Sequence, residues 1–217
     1  MKPKSIDRAD CSECRVDRRE GVGAMPSRGR FSAPLGWLIT VALAVWGNMG
    51  PTIVRWVDSR RPVSVNLRTG AVMPLLHSAI GLCFVSFFDS PLLSRRIDEE
   101  LQINARGDDP RAPITRAELD ALVAECRQHG LSRAVGSVIP GINAFCAPVF
   151  DHEGKMVLAI TGLGPAGIFP PGWSSPRARA IRKAAQAISR QLGWRGDQAG
   201  AAIRRMQSRN GPPSALK

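Results

Sequence analysis

Apolar residues in this chain fall into short blocks separated by Gly, Pro and Asn, and the spacing within each block predicts its element. Thr40 to Trp46 is apolar and partly β-branched, and a second β-rich run, Thr52 to Val57, follows Gly47-Asn48-Met49-Gly50-Pro51. Two such runs with a Gly/Asn/Pro connection predict a hairpin. Val63, Val65 and Leu67 alternate with Ser64, Asn66 and Arg68, which predicts a third strand with one wet face.

Helical signals take over next. Ser78 is placed to cap a buried helix running to about Phe88, after a loop from Gly70 to Leu76. Ser90-Pro91 starts another, with Ser at the cap and Pro in the first turn. Its inward face is expected to carry Leu92, Ile97 and Leu101, with Arg95, Arg96, Glu99 and Glu100 outward. Thr115-Arg116-Ala117-Glu118 is a capping box, backed by Leu119, Leu122, Val123 and Cys126 at helical spacing and closed by His129-Gly130. Ala134 to Ile139 and Ala144 to Phe150 read as strands. Asp151-His152-Glu153-Gly154 reads as a turn to a paired strand, Met156 to Leu163. Pro170-Pro171-Gly172 then breaks the chain before Ser174 or Ser175 caps a basic helix to about Leu192. Strands, helices, strands and a last helix argue for an α+β fold with an antiparallel sheet and helices packed on its faces.

Charge changes this picture only at the ends. The net charge is +12, yet residues 41–175 hold twelve basic and twelve acidic side chains. Residues 176–217 hold ten basic against one acidic, Asp197. A basic end suits a polyanion such as DNA phosphates or an anionic membrane, and equally an ordinary solvated helix face. Residues 1–34 are polar, broken by Gly and Pro, and expected to be disordered. Basic residues from Arg28 followed by apolar Leu35 to Trp46 have the look of a secretion signal, but the run is too short to span a bilayer and continues as a strand.

Among five cysteines, Cys83, Cys126 and Cys146 lie in apolar or helical patterns and read as buried thiols in a reducing compartment, the cytoplasm. Cys11 and Cys14 form a C-x-x-C with no second pair or His to complete a zinc site. No Gly-rich phosphate loop, H-E-x-x-H or G-x-S-x-G occurs. Asp108-Asp109 sits in a Gly/Pro-flanked loop, and the three histidines lack evident partners. An enzyme, a metal site or a bound cofactor is therefore not expected.

Several pieces, in order, resemble the effector-binding domain of the IclR-type bacterial transcription regulators. They are Arg68-Thr69-Gly70, Pro74-Leu75-Leu76-His77-Ser78-Ala79-Ile80-Gly81, the Thr115–Gly130 helix and Pro140-Gly141. Ala147-Pro148-Val149-Phe150-Asp151, Gly154, Gly164-Pro165 and Leu192-Gly193 complete the series. The resemblance implies an effector-binding domain over residues 40–193, between an atypical N-terminal segment (1–39) and a basic tail (194–217). It implies a GAF-like antiparallel sheet with helices on both faces. A small organic acid would bind beside the sheet in a cytoplasmic dimer or tetramer.

For that ligand, the helix start at Ser78 offers free backbone N–H groups and the positive end of the helix dipole. The small residues Ala79 and Gly81 would allow close approach, with Ile80 between them also at the ligand. Asn143, Phe145, Thr161 and Leu163 would supply one wall and Val65 or Leu67 the other. Plainer readings stand beside these: Ser78 only caps, Gly81 only permits close packing, Val65 belongs to the core. His77 either reaches the ligand or rests in its loop. In this family a winged helix-turn-helix reads DNA, and residues 1–34 are too short to form one. The alternative is a small-molecule-binding module acting through mixed dimers with a DNA-binding partner.

Overall fold

A computed structural model describes residues 39–59, 67–107, 113 and 115–196. The first 38 residues, most of the expected third strand, Asp108-Asp109 and the tail from residue 197 lie outside these. Of the Val63–Leu67 run only Leu67 is described; it is not in a strand and packs against the core.

β1 (Thr40–Gly47) and β2 (Gly50–Val57) form the expected antiparallel hairpin. Gly47 pairs with Gly50, so the loop is Asn48-Met49, and Gly50 closes it at φ 118°, where a side chain would be strained. The sheet is completed by β3 (Ser132–Val135), β4 (Ile142–Phe150) and β5 (Met156–Pro165). Its strand order is β2-β1-β5-β4-β3, with every neighbouring pair antiparallel. β3 ends sooner than the pattern to Ile139 suggests. Gly136 turns there at φ 62° and donates its N–H to Ile142 O, which sends the chain back toward β4.

The helices are α1 (Ala79–Phe87), α2 (Pro91–Asn104), α3 (Arg116–His129) and α4 (Pro176–Gln191). α1 is capped by Ser78 and all nine of its residues are buried, so it is apolar around its whole circumference. α3 has both halves of its capping box, and Gly130 ends it at φ 67°. α4 starts at Ser175, whose Oγ accepts from Ala178 N (3.2 Å).

On α2 the inward face carries Ile97 and Leu101 as expected, but Leu93 in place of Leu92. Leu93 and Ile97 are buried, whereas Leu92 is 62% exposed. Glu100, expected to face water, instead accepts from the backbone N–H groups of Leu75 (2.9 Å) and Leu76 (3.0 Å). A carboxylate is the strongest acceptor available to two N–H groups in a loop with no ladder to join.

Strand alternation divides the interior in two. Ala42, Ala44, Ile53, Ala134, Cys146 and Ala159 meet α1, α2 and α3. Ile39, Phe145, Ala147, Val149 and Ile160 meet α4 through Ala178, Ile181 and Ala185. Among the described residues, no helix is long and apolar enough to cross a membrane.

Candidate functional site

A cavity of about 40 Å³ lies between the start of α1 and the sheet. Ser78, Ala79 and Ile80 form its helical side. Ala134, Ile142, Ala144, Thr161 and Leu163 form the strand side, Val138 and Ile139 the turn after β3, and Ile53, Trp56, Leu67 and Met73 the remainder. It exists because the strand positions beneath the helix start are small: Ala134, Ala144 and Thr161 leave room that larger residues would fill.

Two sets of polar groups beside this cavity find no hydrogen-bond partner in the helix or the sheet among the described residues. At the α1 start, Ser78 Oγ accepts from Gly81 N (2.8 Å) and donates to Pro74 O (2.5 Å), so its hydroxyl is committed. Leu82 N donates to Ser78 O (2.9 Å). The N–H groups of Ala79 and Ile80 precede the first acceptor that a helix can give them. The helix dipole makes that end positive. Across the cavity, Thr161 Oγ1 is buried with no hydrogen-bond partner among the described residues. A buried hydroxyl left unpaired costs about 1–3 kcal/mol, so it marks a place where a ligand or water would be held.

The loop before α1 is tied from several sides. Besides Glu100, Ser137 Oγ donates to His77 O (2.7 Å), and Ser132 Oγ donates to Ala79 O (2.5 Å). Gly81 explains how close the loop runs: a Cβ there would sit 2.1 Å from Pro74 O and 2.4 Å from Leu75 Cα. Gly81 therefore serves close backbone packing.

A second cavity, about 200 Å³, lies between β3 and α3. Most of its charged and polar groups are partnered with each other. Glu125 Oε1 accepts from Trp173 Nε1 (2.8 Å) and Arg133 Nη2 (3.2 Å), and the Arg133 guanidinium lies 4.3 Å from the Trp173 ring centre. His77 lines this cavity, with its buried Nδ1 3.8 Å from Glu100 Oε1 and no hydrogen-bond partner among the described residues. Cys83, Cys126 and Cys146 are free and buried. Burial pushes the Cys126 thiol up to about 11, and burial beside Cys146 pushes Cys83 up as well, so both are neutral at physiological pH.

Residues 38–190 match the family described as "Bacterial transcriptional regulator IclR C-terminal". This chain belongs to the IclR family. Among solved structures, HmgR of Pseudomonas aeruginosa is 35% identical, with a TM-score of 0.61, over 73% of this chain and 61% of that one. IclR of Thermotoga maritima is 22% identical (TM-score 0.62), over 74% of this chain and 63% of that one. The repressor BlcR of Agobacterium tumefaciens is 21% identical (TM-score 0.59), over 73% and 61% respectively. The last two show the fold alone, which is the GAF-like α+β arrangement. The chain spans about 61% of HmgR's length. No curated protein matches it by sequence.

Within this IclR-family domain the expected site residues do not all converge. Ser78, Ala79, Ile80, Thr161, Leu163 and Leu67 line the smaller cavity. Asn143 and Phe145 sit on the opposite face of the sheet. Asn143 Nδ2 donates to Phe169 O (2.8 Å), and Phe145 is 1% exposed with its ring 5.6 Å from Phe169. Ile142 and Ala144 take their place on β4. Gly81 is turned to the Pro74-Leu75 loop, His77 lines the other cavity, and Val65 lies outside the described residues. Sequence reasoning missed Ala134, Ala144, Trp56 and Met73; the small residues two apart on β4, Ala144 and Cys146, were the available signal.

Proposed function

We propose that this domain is the effector-sensing part of an IclR-type regulator, and that the smaller cavity holds a short organic acid. One observation carries the reading: Ala79 and Ile80, whose N–H groups lie ahead of the first intrahelical acceptor, line the same apolar cavity as the unpaired Thr161 hydroxyl. The carboxylate would meet Ala79 and Ile80 N–H, and the apolar body would lie against Ile53, Met73 and Leu163. A hydroxyl on the second carbon would pair with Thr161 Oγ1. A space of this size holds about three waters, so an acid of three carbons would enter it with movable lining side chains such as Met73 and Leu67 shifting outward.

The loop tied to Glu100 and Ser137 leads directly into the N–H groups that would receive the acid. Binding would favour whichever arrangement of this loop holds the carboxylate best, and that bias would modulate promoter binding. DNA would be reached through a winged helix-turn-helix domain in a cytoplasmic homodimer or tetramer. In the alternative mode the same domain acts through mixed dimers with a DNA-binding partner. The native mass of the assembly recovered from cells separates the two modes.

Titration calorimetry with propionate and lactate tests the site. Lactate should bind about 3–10-fold more tightly than propionate, the worth of one neutral hydrogen bond. Thr161→Val should abolish the preference, and Ala144→Leu should abolish binding of both by filling the space. If Ala144→Leu left both affinities unchanged, or neither acid bound the parent chain, the reading would fail.

A further inference from the structure

α4 presents its apolar residues to the sheet and a line of cations to the outside. Ala178, Ile181 and Ala185 are buried, while Arg179, Lys183 and Arg190 are exposed. At 100° per residue these three fall within about 40° of one line, which runs about 16 Å along the helix.

Elsewhere on the domain, several exposed cations have carboxylates beside them, and those that do not, such as Arg55, Arg68 and Arg106, are scattered over different elements rather than aligned. Arg95 pairs with Glu99 (2.9 Å), Arg116 with Asp98 (3.2 Å), and Lys155 with Glu153 (2.5 Å). α4 contains no acidic residue. Among the described residues, Arg179, Lys183 and Arg190 form no ion pair, and Arg179 is tied only to the Ser174 carbonyl. Held in line on a helix that the core fixes in place, these charges form an array without counter-charge.

We propose that this face of α4 binds the phosphate backbone of double-stranded DNA without reading its bases. The charges suit a regular row of phosphates, and the line carries no aromatic residue for base stacking. An anionic bilayer fits less well. An amphipathic helix lies in a membrane by burying its apolar face there, and α4 has already buried that face against β4 and β5. The proposal stands apart from the effector site. It adds a second, sequence-independent DNA contact to a family of transcriptional regulators.

Binding of the full chain to a mixed-sequence DNA duplex, followed by fluorescence anisotropy over a range of salt, provides the test. Each neutralised phosphate contributes about 0.9 to the slope of log K against log salt. The triple variant Arg179→Gln, Lys183→Gln, Arg190→Gln should therefore flatten the slope by about 2.7, and Lys183→Gln alone by about 0.9. Arg95→Gln with Arg116→Gln should leave it unchanged, since those cations already have carboxylate partners. Arg179→Lys with Arg190→Lys should also preserve the slope, because charge is conserved. Far-UV circular dichroism confirms that each variant is folded, and Lys183→Gln alone decides the matter if the triple variant is not. An unchanged slope in the α4 variants would overturn the proposal. So would tighter binding to phosphatidylserine–phosphatidylcholine vesicles than to the duplex.

Discussion

On the α4 face of the sheet, Phe145, Val149 and Ile160 pack with Phe169 and Ile181, and a Cβ on Gly162 would come within 2.6 Å of Ile181 Cδ1. On the other face, the intervening positions of β4 and β5 are Ala144, Cys146, Ala159 and Thr161, and space remains beneath the first turn of α1. Buried polar groups are bonded on both sides: Asn143 and Ser189 on the α4 side, to Phe169 O and Phe150 N, and Ser78 and Ser132 on the α1 side. Thr161, without a partner among the described residues, therefore stands out beside the cavity. One pair of strands thus provides a filled face that holds the fold and an under-filled face that can receive a ligand, and alternate residues decide which is which.

The sharpest way to break this contrast is to empty the filled face. Phe145→Ala should lower stability by about 3–5 kcal/mol in urea unfolding. Lactate affinity of the folded fraction should stay within about twofold of the parent chain. Gly81→Ala comes next, because its new methyl group would meet Pro74 O and Leu75 rather than a movable side chain. It should cost about 1–3 kcal/mol and weaken lactate, since the loop and the first-turn N–H groups must move together. Thr161→Val works in the opposite direction. Replacing an unpaired buried hydroxyl by a methyl group should raise the urea midpoint, by about 1 kcal/mol of stability, while removing the lactate preference.

How much of this was legible in sequence depends on whether the signal was local. The Ser78, Ser90 and Thr115 caps and the Gly130 stop are written in adjacent residues and stand where the spacing puts them, and of the two adjacent serines before the last helix it is Ser175 that caps. The parity of β4 is not local. That strand is buried on both faces, so its apolar run carries no alternation to show which residues meet α1. Asn143 and Phe145 stand on the parity that meets the α4 side. On α2, adjacent Leu92 and Leu93 offer two phases, and only packing selects Leu93. Glu100 looks like a surface charge until the Leu75-Leu76 loop is brought against it.

A smaller effect sharpens the picture of the α1-side core, where the cysteines lie. Burial raises Cys126 to about 11 from an ordinary value of 9.0, and Cys83 moves the same way. Both are protonated in folded and unfolded states up to about pH 8, so they add no pH dependence there. As pH rises from 9 to 11 the unfolded chain ionises first, and stability should fall through that window. Urea midpoints across it should drop, and Cys126→Ala should shallow the decline even though it lowers stability at pH 7.

The most direct measurement follows the backbone amides of Ala79 and Ile80 by proton–nitrogen correlation spectroscopy while lactate is added. These two resonances should shift together and saturate, and neither the α4 amides nor those of Leu122 and Trp173 beside the larger cavity should follow them. If Ala79 and Ile80 stayed fixed while amides around the larger cavity shifted, the effector site would be on the other side of β3 and the assignment of function to the under-filled cavity would be wrong.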